Sequence, residues 1–239
     1  MVGSPIRRDP DKPEAGLRGG RGWMPGFSAV LLSVALSALL TAVLVISGVD
    51  WAYFVWVQNL RLFGPLMAAD MIGYVFPVLV PVALLLAASR VPGRGYGLAG
   101  VGALVAAASG LAVSMSLKAV AGRVSPPHHD FGASLAGMAD TSAAFNFGFM
   151  NTSILGGWPS SHATVAFAVV VAVIMALPTA RALHMAGLVI AGFIGLGVSF
   201  GFHWVSEFLS GAMIGSAVGY WIGGIAAARG KMPLPPRSD

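Results

Sequence analysis

Two short polar clusters in this very apolar chain contain residue types suited to phosphate chemistry. In the first, Glu207 follows His203 by four residues, a spacing that places both side chains on one face of a helix. A carboxylate bonded to one imidazole nitrogen fixes the tautomer and leaves the other nitrogen as a nucleophile. We therefore predict that His203 attacks and Glu207 orients it. The alternatives are an interfacial histidine bonded to a carbonyl and a glutamate paired with Lys118.

The second cluster, Pro159-Ser160-Ser161-His162, stands at the start of an apolar run. Proline and serine are typical of a helix start, where unpaired N–H groups and the positive end of the dipole favour an anion. His162 lies in the same first turn and is a candidate general acid for a leaving oxygen. The alternative is a plain N-cap without a ligand.

Two cations follow the third apolar run and could supply the positive charge that a phosphoryl group requires. These are Lys118 and Arg123, and the alternative for each is an interfacial side chain that extends toward water. The neighbours His128, His129 and Asp130 could bind a metal, but their spacing is not diagnostic and a solvated loop is favoured. We expect no metal and no other cofactor.

Composition indicates an integral membrane protein. Hydrophobic residues make up 56% of the 239 residues, charged residues only 10%, and the mean hydropathy is +0.81. The absence of cysteine excludes disulfides, thiolate catalysis and cysteine-based zinc sites. Six apolar runs predict an all-α, six-transmembrane-helix bundle. The runs cover 27–47, 66–88, 98–118, 161–177, 182–201 and 204–226.

The chain divides into one membrane domain and two tails. We predict a disordered cytoplasmic tail over 1–26, a membrane domain over 27–228 and a cytoplasmic tail over 229–239. Residues 51–62 mix aromatic and polar side chains and are expected to lie at the membrane interface. The connection 119–158 lacks a helical period, and long loops of this kind are more often functional than idle.

Lysine and arginine positions predict the orientation of the bundle. In a six-span arrangement, eleven of the 14 lysines and arginines fall on one side, and only Arg61, Lys118 and Arg123 fall on the other. The positive side is expected to be cytoplasmic, so both termini lie in the cytoplasm. His162, His203 and the two cations then share the extracytoplasmic face. We expect a bacterial inner (plasma) membrane location, with the site facing the periplasm or exterior.

Together these residues resemble the type 2 phosphatidic acid phosphatase (PAP2) superfamily of membrane phosphatases. Its three motifs are Lys-x6-Arg-Pro, Pro-Ser-Gly-His and Ser-Arg-x5-His-x3-Asp, in that order. The corresponding segments here run from Lys118 to Pro126, from Pro159 to His162, and from Leu196 to Glu207. Each motif is weak alone, but their order, spacing and shared face make the match specific.

The resemblance implies a metal-independent, two-step hydrolysis through a phosphohistidine. His203 resembles the nucleophile, Glu207 its orienting acid, and His162 the group that protonates the leaving oxygen and later activates water. Lys118, Ser160 and the backbone N–H of Ser161 resemble the groups that hold the phosphate oxygens. These residues, together with Arg123, form the candidate active site.

The sequence departs from the family pattern at three positions. Ser125 replaces the arginine of the first motif, Gly197 replaces that of the third, and Glu207 replaces an aspartate. A charge-assisted contact contributes about 1.5–3 kcal/mol, so two lost arginines predict altered substrate choice or reduced activity. Arg123, two positions before Ser125, is expected to supply part of the lost phosphate binding.

The expected substrate is a phosphomonoester or diphosphate of a lipid or isoprenoid, and no nucleic acid partner is expected. One alternative is a phosphotransferase that passes the phosphoryl group to an acceptor hydroxyl. Another is a noncatalytic lipid-phosphate-binding protein. The aromatic residues of the long loop could form a wall for the lipid chain or only cover the site.

Four glycines recur every four residues along the last run, at 211, 215, 219 and 223. Such a ridge lacks side chains and permits close approach of another helix. Packing against a helix of the same chain is the favoured interpretation, and a homo-oligomer is the alternative.

Overall fold

The computed structural model describes residues 24–93, 95–127, 135, 137–151 and 156–230. Within these ranges the protein is all-α, which confirms the predicted fold class, and it contains seven helices. They are α1 Met24–Ile46, α2 Val49–Asn59, α3 Phe63–Arg90, α4 Tyr96–Ala121, α5 Ser161–Ala176, α6 Arg181–Val198 and α7 Val205–Gly230. Most of the two predicted tails, 1–23 and 231–239, lies outside the described residues.

Five of these helices, α1, α3, α4, α6 and α7, are long and apolar enough to cross a membrane. Their outer faces carry large apolar side chains that no other part of the described chain covers, such as Leu39, Met71 and Val189. Apolar surface on this scale is stable only when lipid surrounds it. The chain is therefore an integral membrane protein.

Helix α5 stands where the fourth of the six predicted spans was expected, but it has only 16 residues. Helices α3, α4, α6 and α7 pack around it, and none of its residues is exposed. A helix enclosed by protein does not have to match the thickness of the lipid, so its short length is accommodated. Six crossings and two cytoplasmic termini remain predictions. The segment expected at the interface forms α2.

The glycine ridge of α7 faces α5. A β-carbon at any of the four ridge glycines would approach main-chain atoms of α5 or of the residue before it too closely for an ordinary contact; these atoms belong to residues 160, 164, 168 and 172. This same-chain packing is the interpretation that the sequence favoured, and the homo-oligomer stays an untested alternative. Because the two helices are in close contact, the first turn of α7 lies beside the first turn of α5.

A substitution in this ridge tests the packing. We expect Gly215→Ala to lower the free energy of unfolding by about 1–3 kcal/mol, because the new β-carbon would overlap the Thr164 carbonyl oxygen. Gly224→Ala is the matched control, since a β-carbon there meets nothing within 4 Å. Thermal unfolding of the purified protein in detergent measures both variants. Equal midpoints for the two variants would contradict the close packing.

Candidate functional site

His203 and Glu207 form a hydrogen-bonded pair at the start of α7. Nδ1 of His203 lies 2.7 Å from Oε2 of Glu207, and both side chains are buried. His203 precedes the helix, and its backbone N–H donates to the Val198 carbonyl at 3.2 Å, which holds it against the end of α6. With Nδ1–H donating to the carboxylate, Nε2 is the nitrogen left for a reacting group.

His162 is the second residue of α5, and its ring lies near that of His203. The two ring centroids are 6.4 Å apart. Nε2 of His162 lies 3.4 Å from Oδ1 of Asp70, which belongs to α3. The Tyr74 ring packs edge-on against the same imidazole at 4.8 Å. The structure thus brings together the two histidines predicted from the sequence and adds a carboxylate that was not predicted.

The two serines before His162 have different surroundings. Ser160 is the N-cap of α5, and its hydroxyl accepts a hydrogen bond of 3.5 Å from the backbone N–H of Ala163. The backbone N–H of Ser160 donates to the Glu207 carbonyl at 3.1 Å, so this position also ties α5 to α7. The Ser161 hydroxyl accepts a hydrogen bond of 2.9 Å from Ser114. Ser160 therefore acts as a cap, while Ser161 faces α4.

A cavity of about 460 Å³ lies between α3, α4 and α5. Its polar lining comes from Lys118, Ser161 and His162, and most of the rest is apolar. Tyr74 and Val78 of α3 also line it and are 68% and 62% exposed, so the cavity opens toward the surface that lipid covers. The arrangement can hold a molecule that has a charged head and an apolar chain.

Arg123 is not among the residues that line this cavity, because other protein groups bind its guanidinium. Nη2 lies 2.6 Å from Oδ2 of Asp50, and Nη1 donates to the Ser206 hydroxyl at 2.7 Å. Nε and Nη2 both donate to the Ser142 carbonyl, at 3.2 and 2.8 Å. Nη1 also lies 3.7 Å from Oε1 of Glu207. The geometry makes Arg123 a neighbour of the Glu207 carboxylate, whereas its position in the sequence predicted a phosphate ligand.

Asp50 is a second buried carboxylate near the site that the motifs did not predict. It lies in the first turn of α2, is fully buried, and accepts hydrogen bonds from Ser206 through the backbone N–H at 2.9 Å and the hydroxyl at 2.5 Å. A signal was present, because Asp50 and Asp70 are the only acidic residues between positions 15 and 129. Carboxylates within apolar segments are costly and usually functional.

The two positions where the family motifs carry arginine are packed against neighbouring residues. A β-carbon at Gly197 in α6 would overlap the side chain of Ala69 in α3. Similarly, a β-carbon at Gly156 would overlap the Ser125 hydroxyl. Among the described residues that line the cavity, Lys118 is the only lysine or arginine. The positive charge on this wall is thus smaller than the motifs would provide.

The loop aromatics pack around Arg123 and α1. The Phe145 ring lies 5.1 Å from the Arg123 guanidinium carbon and stacks on Phe147 at 5.3 Å. The Trp158 indole N–H lies 2.8 Å from hydroxyl oxygens of both α1 and α7. These residues do not line the cavity that contains His162. His128, His129 and Asp130, the residues weighed as metal ligands, lie outside the described part of the chain.

Comparison with known proteins supports the resemblance seen in the motifs. The family model of the PAP2 superfamily matches residues 99–230, more than half of the chain. Comparisons with curated proteins and with solved structures found no match. The matched segment contains Lys118, both histidines and Glu207, whereas Asp50 and Asp70 precede it.

Proposed function

This chain belongs to the PAP2 superfamily, and from that premise we propose that it hydrolyses a lipid or isoprenoid phosphate through a phosphohistidine. The superfamily consists in general of membrane phosphatases, and membership in it indicates phosphatase activity for this chain. We also propose that the substrate is a phosphomonoester or a diphosphate and that the reaction requires no metal.

The main support for the proposal is that the rings of His162 and His203 lie 6.4 Å apart, beside an apolar cavity that is lined by His162 and Lys118. In the first step, Nε2 of His203 attacks phosphorus and the bond to the leaving oxygen breaks. His162 gives a proton to that oxygen as it departs. In the second step, water attacks the phosphohistidine and His162 takes the proton, which releases inorganic phosphate. Lys118 and the N-terminal N–H groups of α5 stabilise the phosphoryl oxygens.

The apolar lining of the cavity supports a substrate with a hydrocarbon chain. A lipid phosphate in the membrane can place its head beside His162 and its chain between α3 and α4, where the cavity opens. We also propose that the site faces the outside of a bacterial inner membrane, as the lysine and arginine distribution predicts.

Phosphate release from a substrate panel tests the function. The full-length protein in detergent, with a metal chelator present, is given a diacylglycerol phosphate, an isoprenoid diphosphate, glycerol 3-phosphate and 4-nitrophenyl phosphate. We expect release from the lipids, and none with His203→Ala. A strict requirement for added metal would overturn the mechanism. If a phosphorylated acceptor forms without free phosphate, the protein is a phosphotransferase. If the protein retains the lipid without turnover, it is a lipid-binding protein.

A bulky side chain in the cavity should separate lipid from soluble substrates. Ala108 lines the cavity on α4, so Ala108→Phe is expected to lower kcat/KM for the lipid by about tenfold, while 4-nitrophenyl phosphate is much less affected. Val101→Phe is the control, because Val101 is exposed on the same helix and does not line the cavity. Equal losses on both substrates would contradict a chain-binding role for the cavity.

A further inference from the structure

Helix α3 contributes a carboxylate, a glycine and an aromatic ring to the surroundings of His162. Asp70, Gly73 and Tyr74 have the i, i+3 and i+4 spacing, so they lie on one face of the helix. A β-carbon at Gly73 would overlap Cδ2 of His162, so glycine lets α3 approach the ring closely. All three residues precede position 99, where the family match begins.

The carboxylate lies on the Nε2 side of the His162 ring. Oδ1 of Asp70 is 3.4 Å from Nε2, and the two side chains are only 19% and 15% exposed. Both ring nitrogens are buried, and neither is hydrogen-bonded within the described part of the chain. Apo-state contacts of catalytic groups are often long and tighten when substrate binds. Asp70 is thus the acidic group within ion-pair distance of this ring.

We propose that Asp70 is the positioning residue for His162. It keeps a proton on Nε2 and stabilises the imidazolium, so that Nδ1 is the nitrogen that exchanges protons with the reacting groups. This inference rests on the proposed function. As the phosphorus bond to His203 forms and the bond to the leaving oxygen breaks, the Nδ1 proton moves to that oxygen. The Nε2 proton stays in place beside the carboxylate, which remains ionised.

Leaving-group dependence tests the role of Asp70. An alkoxide leaving group needs a proton, whereas 4-nitrophenolate departs readily without one. We expect Asp70→Asn to slow hydrolysis of a short-chain diacylglycerol phosphate by about 10²-fold, the lower range for loss of general acid–base catalysis. The pre-steady-state release of 4-nitrophenolate should change by less than about threefold, since that step depends little on His162.

If Asp70 had only a structural role, Asp70→Asn would lower the rates with both substrates equally, and that result would overturn the inference. Met71→Ala is the control, because Met71 is the next residue and points away from the bundle with its side chain exposed. It should leave both rates unchanged.

The protonation of His162 provides a measurement independent of turnover. With ¹⁵N-labelled histidine, we expect ring chemical shifts that place the proton on Nε2, and a mixture of both neutral tautomers in Asp70→Ala. Unchanged shifts in that variant would overturn the inference even if the protein is an active phosphatase. Conversely, an Asp70-dependent tautomer in a protein that hydrolyses no phosphate would refute the proposed function and leave the Asp70–His162 pair standing.

Discussion

Replacing His203 with alanine is expected to abolish phosphate release. The nucleophile is lost, and removal of a nucleophile typically costs on the order of 10⁶-fold in kcat. Brief incubation of the wild-type protein with ³²P-labelled substrate should leave an acid-labile label on the protein, as a phosphohistidine would. The His203→Ala variant should carry no label. Quenched single-turnover reactions measure both the label and the free phosphate.

His184 provides the matched control for the loss of a histidine. It lies in the first turn of α6, at the end of the bundle away from the site, where its Nε2 is 2.8 Å from the Leu177 carbonyl. His184→Ala is expected to keep its label and its turnover. Undiminished turnover in His203→Ala would eliminate the phosphohistidine mechanism.

Removing either member of the buried Asp50–Arg123 pair is expected to lower the free energy of unfolding by about 3–5 kcal/mol. Both side chains are fully buried, so each single substitution removes the direct partner of a buried charge. Asp50→Ala leaves the guanidinium with the longer, 3.7 Å contact to Glu207 in place of the 2.6 Å ion pair, and Arg123→Ala removes the cation that both buried carboxylates face. Unfolding in detergent with increasing denaturant measures each variant.

The double variant Asp50→Ala/Arg123→Ala separates this role from phosphate binding. A structural pair predicts that the double variant loses much less stability than the sum of the two single losses. If Arg123 instead held the phosphate, the two changes would be additive in stability, and Arg123→Ala would act mainly by raising KM. Additive losses would therefore contradict the geometry that places Arg123 behind Glu207.

Much of the fold is predictable because membrane helices carry a strong hydropathy signal. The apolar runs 66–88 and 98–118 lie inside α3 and α4, and the run 161–177 extends only one residue beyond α5. Helix α2 is harder to predict, since its polar residues suggest an interface and not a buried face. In the structure Gln58 is buried, and its amide donates to the Phe200 carbonyl at 2.6 Å. Such a long-range contact leaves no periodic pattern in the sequence.

The candidate site is predictable where its geometry depends on spacing within one helix. The four-residue interval between His203 and Glu207 predicts their contact, and the structure shows the hydrogen bond. Contacts between residues of different helices leave no comparable spacing pattern in the sequence. Asp70 meets His162 only because α3 packs beside α5, and Arg123 meets Asp50 only because α2 folds back against the start of α7. The rarity of acidic residues in this region is the signal that could have drawn attention to both carboxylates.

The close contact between Gly197 and Ala69 has a consequence for the position of Asp70. Asp70 directly follows Ala69, so the approach of α3 to α6 that glycine permits also carries the carboxylate toward His162. An arginine at position 197 would need the space that Ala69 occupies. The place of Asp70 beside His162 therefore relies on glycine at position 197, and a single Gly197→Arg substitution would displace α3, and Asp70 with it, before it supplied an anion ligand. An arginine at position 197 therefore requires a compensating change in α3.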